Sequence, residues 1–151
     1  MRKSYVLGFL LFLFSTTIFA ASPLPVGYWK TVDDVNNRVN SIVEIYEAPD
    51  HTLAGRIIKT FPKPGTEPLV NCNECSGSLH GKPVVGMTIL TGLRADGENT
   101  WGDGRIVDPK TGSVYHCFVK TIDNGTKLII RGYIVFHWLG RSQTWLHIDH
   151  P

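Results

Sequence analysis

The residues best equipped for chemistry lie in Val70-Asn71-Cys72-Asn73-Glu74-Cys75-Ser76-Gly77, which holds two of the three cysteines in the chain. A Cys-x-x-Cys pair can be a redox centre, half of a zinc site or a covalent staple. Redox catalysis needs a helix N-terminus to lower the thiolate pKa, yet Cys75 is followed by Ser-Gly-Ser and then by a strand pattern, which disfavours it. Zinc needs four ligands drawn from separate segments, with Cys72, Cys75 and two of His80, His116 and Cys117 as the candidates, Cys72/Cys75/His80/Cys117 being one such set. In an oxidising compartment the favoured reading is a disulfide. Closing Cys72 to Cys75 is worth only ~2 kcal/mol, against ~4 kcal/mol for pinning either to the distant Cys117, but proximity favours the short pair. Cys117, in the alternating run Tyr115-Cys117-Val119, reads as a buried free thiol.

Other catalytic constellations are absent from the sequence or better explained otherwise. There is no Gly-x-Ser-x-Gly elbow, and the six histidines have no recognisable partner spacing. His147-x-x-His150 resembles half a metal motif but sits at the chain end, where a solvated tail is the simpler account. Asp33-Asp34 and Glu44 with Glu47 supply carboxylates, and glycoside chemistry would need two of them opposed at a defined separation. Trp101-Gly102-Asp103-Gly104-Arg105 is no phosphate loop, because no helix follows whose N-terminus could hold an anion. The expectation is a non-enzyme without a cofactor.

The compartment is read from the start of the chain. Met1-Arg2-Lys3 is positive, no charge appears from Tyr5 to Ala20, and small residues follow at Ala20-Ala21-Ser22. That is the pattern of a secretory signal peptide over residues 1–21, too short for an ordinary membrane span, so the expected location is periplasmic or secreted. Losing Arg2 and Lys3 takes the 15 basic residues to 13, equal to the 13 acidic ones, so the expected mature chain is formally neutral. A neutral chain lacks the basic stripe that a phosphate backbone requires, which disfavours nucleic acid as a partner, so none is expected. The remaining 22–151, roughly 130 residues, suffice for one domain with a real core.

The elements that must position these residues are short alternating runs rich in Val, Ile, Thr and aromatics, with no sustained 3.6-residue stripe. Strands are expected at Gly27–Val32, Val39–Glu47, Thr52–Phe61, Val84–Leu93, Asn99–Val107, Ser113–Ile122, Thr126–Trp138 and Ser142–Ile148. Turn residues punctuate them at Ala48-Pro49-Asp50, Ala95-Asp96-Gly97, Asp108 to Gly112 and Asp123-Asn124-Gly125. Short links imply antiparallel neighbours, and about eight of them favour a single up-and-down β-barrel, which closes every sheet edge. Pro62 to Pro83, rich in Pro, Gly and Asn, reads as a loop over an edge or a barrel mouth. Gly102 and Gly104 inside a strand pattern mark a bulge or a close backbone approach.

Strand faces refine the picture. Leu128, Ile130, Gly132, Ile134, Phe136 and Trp138 form a core face, whereas Lys127, Ile129, Arg131, Tyr133, Val135 and His137 mix charge with apolar bulk. The mixed face is either a polar-aromatic lumen or an exterior with snorkelling Arg stems, and the exterior is the default because charged groups are rarely buried unpaired. If it faces inward, Arg131 needs Glu44 or Asp103 as a partner.

Several segments together resemble a family of exported bacterial proteins classed as a domain of unknown function. They are Gly27-Tyr28-Trp29-Lys30-Thr31-Val32-Asp33-Asp34, Ser41 to Tyr46, the Cys72/Cys75 loop, Gly102 to Pro109, Arg131-Gly132-Tyr133 and Gly140 to Trp145. The resemblance covers nearly all of the expected mature chain and implies a lipocalin-like barrel, with no reaction attached. Gly27-x-Trp29 is also similar to the short lipocalin signature, which implies that Trp29 plugs one barrel end against an Arg, here Arg131 or Arg141. Two functions follow from such a barrel. One is a carrier of a small, partly apolar ligand, with Trp29, Tyr46, Trp101, Arg105, Arg131, Tyr133 and Trp145 as candidate wall or mouth residues. The other is a structural or interaction module whose barrel is filled by its own side chains and whose Pro62 to Pro83 loop docks a partner.

Overall fold

Alternating side chains do not by themselves close a sheet; the register does. In the computed structural model, which describes residues 24–33, 35–136 and 139–151, eight strands follow one another in antiparallel pairs. They are β1 (Gly27–Val32), β2 (Val39–Glu47), β3 (Leu53–Thr60), β4 (Thr88–Ala95), β5 (Thr100–Val107), β6 (Val114–Ile122), β7 (Lys127–Tyr133) and β8 (Gly140–Ile148). Closure comes from β1 and β8, where Tyr28, Trp29, Lys30 and Thr31 pair with Ile148, His147, Leu146 and Trp145. This is the expected all-β, up-and-down barrel. The expected signal peptide lies outside the described residues, as do Asp34, His137 and Trp138.

The larger departures from the expected boundaries have local reasons. The fourth strand was expected from Val84 but begins at Thr88, because Gly86, at φ 89°, turns the chain so that its N–H meets the Ile57 carbonyl. The seventh ends at Tyr133, not Trp138, because Tyr133 pairs directly with Gly140 and the chain between them must turn. For the same reason β8 starts two residues earlier than expected. The core face of β7 therefore stops short: Leu128 and Ile130 are buried, while Ile134 and Phe136 are exposed, and apolar alternation there belongs to a turn.

The inward face is apolar from strand to strand. Trp29, Val43, Ile45, Leu53, Ile57, Leu90, Leu93, Trp101, Cys117, Val119, Leu128, Ile130 and Trp145 belong to one buried cluster. Gly55 and Gly104 let it close: a Cβ at Gly55 would stand 3.1 Å from Leu90 Cβ, and one at Gly104 would stand 2.5 Å from Leu93 and 3.0 Å from Cys117 Sγ. The expected irregularity at Gly102 and Gly104 is both a close approach and a bulge. Asp103 takes φ 58° and the β5–β6 register shifts between Trp101 and Gly104.

Candidate functional site

Because the strands simply alternate in direction, the connections sort into two sets. One end carries the tight hairpins β2–β3, β4–β5 and β6–β7. The other, the mouth, carries the β1–β2 turn, the long strap between β3 and β4, the β5–β6 turn and the β7–β8 turn.

The strap is drawn into the barrel. Cys72 and Cys75 form a disulfide with their Cα atoms 5.3 Å apart, and both belong to the buried cluster together with Val84 and Met87. Cys72 Sγ lies 3.2 Å from the Pro109 carbonyl oxygen; this is a packing contact, since an oxidised sulfur has no proton to donate. A Cβ at Gly112 would collide with the backbone of Glu74, so a glycine is needed where the strap crosses the β5–β6 turn. An isolated bridge joins Asn71 to Pro83, and Cys72 N–H donates to Lys82 O, closing the strap on itself. The disulfide therefore anchors a plug over the β3–β6 side of the mouth. It also occupies two of the four thiol and imidazole groups that the zinc alternative required, while His80 Nδ1 lies 3.0 Å from Cys75 O and Cys117 is buried in the wall. Burial pushes the Cys117 thiol up to about 12, so it stays protonated and unreactive.

The other side of the mouth is more open. Thr31 and Ser41 share a hydrogen bond of 2.8 Å on facing strands. On β8, Arg141 and Gln143 occupy the same alternate positions as the buried Trp145 and so belong to the inward face, yet both are exposed. Trp145 Nε1 donates to Gln143 Oε1 at 3.4 Å. Outside the barrel, an open groove of about 560 Å³ runs over the bulged region of β4 and β5, with Asp50, Ala54, Thr91, Asp103 and Arg105 in its lining. A smaller recess of about 190 Å³ lies at the β6–β7 hairpin. Neither reaches the inward tryptophans.

The seven sequence-derived candidates divide accordingly. Trp29, Trp101 and Trp145 point inward at 1%, 6% and 1% exposure and fill the lumen as core. Tyr46, Arg105, Arg131 and Tyr133 lie on the outer wall, so the seven do not form one site. Arg131 pairs across with Phe118 and Ser142, and its guanidinium donates to Ser142 Oγ at 3.0 Å. Glu44, offered as its partner, accepts instead from Arg56 at 2.7 Å on the neighbouring strand, and Arg56 stacks over Tyr46 at 5.5 Å. Tyr133 stacks on His116 with centroids 5.7 Å apart. The mixed faces are thus exterior, with guanidinium stems lying across apolar neighbours. The end-plug role implied for Trp29 is realised with a different neighbour. Its Nε1 donates to Pro25 O at 2.9 Å and its ring meets His147 edge-on at 5.1 Å, while Arg141 follows the first residue of β8, at the far end of that strand. Thr31, Ser41 and Gln143 were missed as mouth residues. Only the alternation through Gln143-Thr144-Trp145 could have pointed to Gln143.

A closed eight-stranded antiparallel barrel with one end plugged by tryptophan and the other crossed by a strap defines a lipocalin-like protein. A family model described as an uncharacterized protein conserved in bacteria (DUF2147) matches residues 27–147, and the chain belongs to that family. The structure of protein HP1028 from the human pathogen Helicobacter pylori, described as belonging to the lipocalin family, is similar, with a TM-score of 0.69. It shares 19% identity over 83% of each chain, a likeness that concerns the fold. No curated protein matches. No helix among the described residues is long and apolar enough to cross a membrane.

Proposed function

We propose that this protein is an exported, non-catalytic barrel module of the bacterial cell envelope, filled by its own side chains, whose recognition surface is the mouth. The observation that carries this reading is the state of the lumen. Trp29, Trp145, Leu90, Leu93 and Leu128 are each 1% exposed or less, and a methyl group at Gly55 would crowd Leu90 while one at Gly104 would force Leu93 to move. An eight-stranded barrel is just wide enough to be filled or to hold one small ligand, and two indole rings with these aliphatics account for the available width. A ligand seated deep in the lumen would have to displace tryptophan from a close-packed core.

A second reading keeps a small ligand but moves it to the mouth. Arg141 and Gln143, inward in register yet exposed, with the Thr31–Ser41 pair, offer a guanidinium, an amide and two hydroxyls to a polar group whose apolar part rests on the rim. Native mass spectrometry of protein taken from its own compartment tests both. The filled-module reading expects a mass beginning near Ala21 or Ser22, reduced only by the two hydrogens of the disulfide. A stoichiometric bound molecule abolished by Arg141→Ala would favour the mouth ligand. One retained in that variant and lost on opening the core would establish a lumen carrier and overturn the filled-barrel reading.

A further inference from the structure

The open groove of about 560 Å³ on the outer wall takes no part in the function proposed above, and its shape comes from irregular pairing. The β3–β4 register shifts between Leu53 and Gly55 and again between Gly55 and Arg56, and the β5–β6 register shifts between Trp101 and Gly104. Bulges bend a strand and turn its side chains out of line. Between them the floor is made of small residues: Ala54, paired with the outward Tyr46, and Gly92. Polar groups ring that floor. Asp50 is held in place by Thr52, whose hydroxyl and N–H donate to Oδ1 at 2.7 and 3.2 Å, and Oδ2 has no hydrogen bond to the described residues. Asp103 and Arg105 are exposed, and neither has an ion pair or a side-chain hydrogen bond with the described residues. Single exposed charges are ordinary. Carboxylates and a guanidinium that share one recess without pairing present acceptors and donors to a ligand instead.

The mixture of charge selects the ligand. An anionic polymer is repelled by Asp50 and Asp103, and a cationic one by Arg105. A peptide would dock through an exposed sheet edge, through the apolar anchors of a helix or through polyproline on aromatic rings. The closed barrel has no edge, and the apolar side chains of the groove are Ala48, Pro49 and Ala54, with no aromatic ring among the described residues that line it. A compact solute would stay mostly in water here, since small-ligand sites bury the greater part of what they hold, whereas an extended chain can lie across an open groove. A neutral polyhydroxyl chain meets each condition. Every hydroxyl both donates and accepts, so neighbouring hydroxyls of a sugar ring can donate to a carboxylate and accept from the planar fork of a guanidinium. The C–H face of the ring then rests on alanine, proline and glycine.

We propose that this groove binds a neutral glycan chain, with Asp50 and Asp103 accepting from its hydroxyls and Arg105 donating to them. The site is separate from the mouth, so its test does not depend on what occupies either the mouth or the lumen. The test is titration of the isotope-labelled exported protein with cellohexaose, maltohexaose and the β-1,4 hexamer of N-acetylglucosamine, followed through amide chemical shifts. At least one of these saccharides is expected to give saturable shifts at Ala54, Thr91, Gly92, Asp103 and Arg105 and to leave Arg141 and Gln143 unmoved. In D103N/R105Q the affinity should fall at least about tenfold, the order of one lost hydrogen bond to a charged group, with Tm unchanged. Both substitutions are on exposed side chains, and Asn readily takes the left-handed φ of 58° at position 103. The proposal is overturned if none of the saccharides moves the groove amides, if the shifts gather at Arg141 and Gln143, or if D103N/R105Q loses less affinity than that. Saturable shifts of the groove amides by tri-alanine and by no saccharide would also overturn it, and would make a peptide the occupant.

Discussion

Replacing Gly104 by Ala is the sharpest probe of whether the barrel interior is full. The added methyl carbon would stand 2.5 Å from Leu93 Cδ2, 2.7 Å from Leu93 Cγ and 3.0 Å from Cys117 Sγ. A Cδ methyl can swing aside, but a Cγ moves only with the whole side chain, and Leu93 is 1% exposed with buried neighbours around it. Overpacking of this kind costs about 1 to 3 kcal/mol, which exceeds the ~0.5 to 1 kcal/mol that alanine gains over glycine in backbone entropy. Gly104→Ala should therefore lower stability by roughly 1 to 2 kcal/mol, or about 3 to 10 °C in Tm for a domain of this size. Leu93→Ala alone should cost about 2 to 5 kcal/mol through the cavity it leaves. In the double variant the new methyl occupies part of that cavity, so the combined loss should fall short of the sum by ~1 kcal/mol or more. Urea denaturation of the four proteins measures all of these terms. A Gly104→Ala loss under ~0.5 kcal/mol, with additive behaviour in the double variant, would refute the filled lumen and restore space for a ligand.

Arg131→Ala should cost no more than ~1 kcal/mol by chemical denaturation, since its bond to Ser142 is on the outer wall; a loss of 3 kcal/mol or more, the order of a broken buried pair, would mean that this face looks inward. Cys117 should resist alkylation in the folded protein with no acceleration between neutral pH and pH 9, because burial holds its thiol near 12, whereas non-reducing peptide mapping should find Cys72 joined to Cys75. The carboxyls of Asp33, bonded first by Val35 N–H, and Asp50, bonded first by the Thr52 hydroxyl, are held below their ordinary value, so their contribution to the two turns is present above the unfolded carboxylate range and is lost as pH falls through the depressed folded values. Amide exchange at Val35 and Thr52, corrected for intrinsic rates, should therefore quicken on acidification below about pH 4, and Asp50→Asn should blunt the change at Thr52.

Most of the fold was legible because an antiparallel barrel is a local object. Period-two alternation, Pro, Asp, Asn and Gly at the turns, and short links between strands are each written within a few residues of one another, and closure then follows as the way to leave no edge. The short disulfide was legible for the same reason: only two residues separate its cysteines, and the expected compartment is oxidising. The errors at Val84 and at Ile134 to Phe136 share one cause, since an apolar alternating run looks the same whether it continues a strand, plugs a mouth or projects from a turn. Where a strand stops depends on which neighbour it pairs with, as Tyr133 does with Gly140. The candidate site was read less well because it depends on closure. Whether Arg131 or Ile130 points inward is a one-residue question of register, and only the pairing of β6, β7 and β8 decides it. The filling of the lumen is likewise a sum over eight strands: no single strand shows that Gly55 faces Leu90, or that Gly104 faces Leu93 and Cys117. Sequence alone determined the strands, their turns and the staple, because those are set by neighbours in the chain. Tertiary structure decided which side chains share the interior and which loops share the mouth, because those are set by neighbours in space.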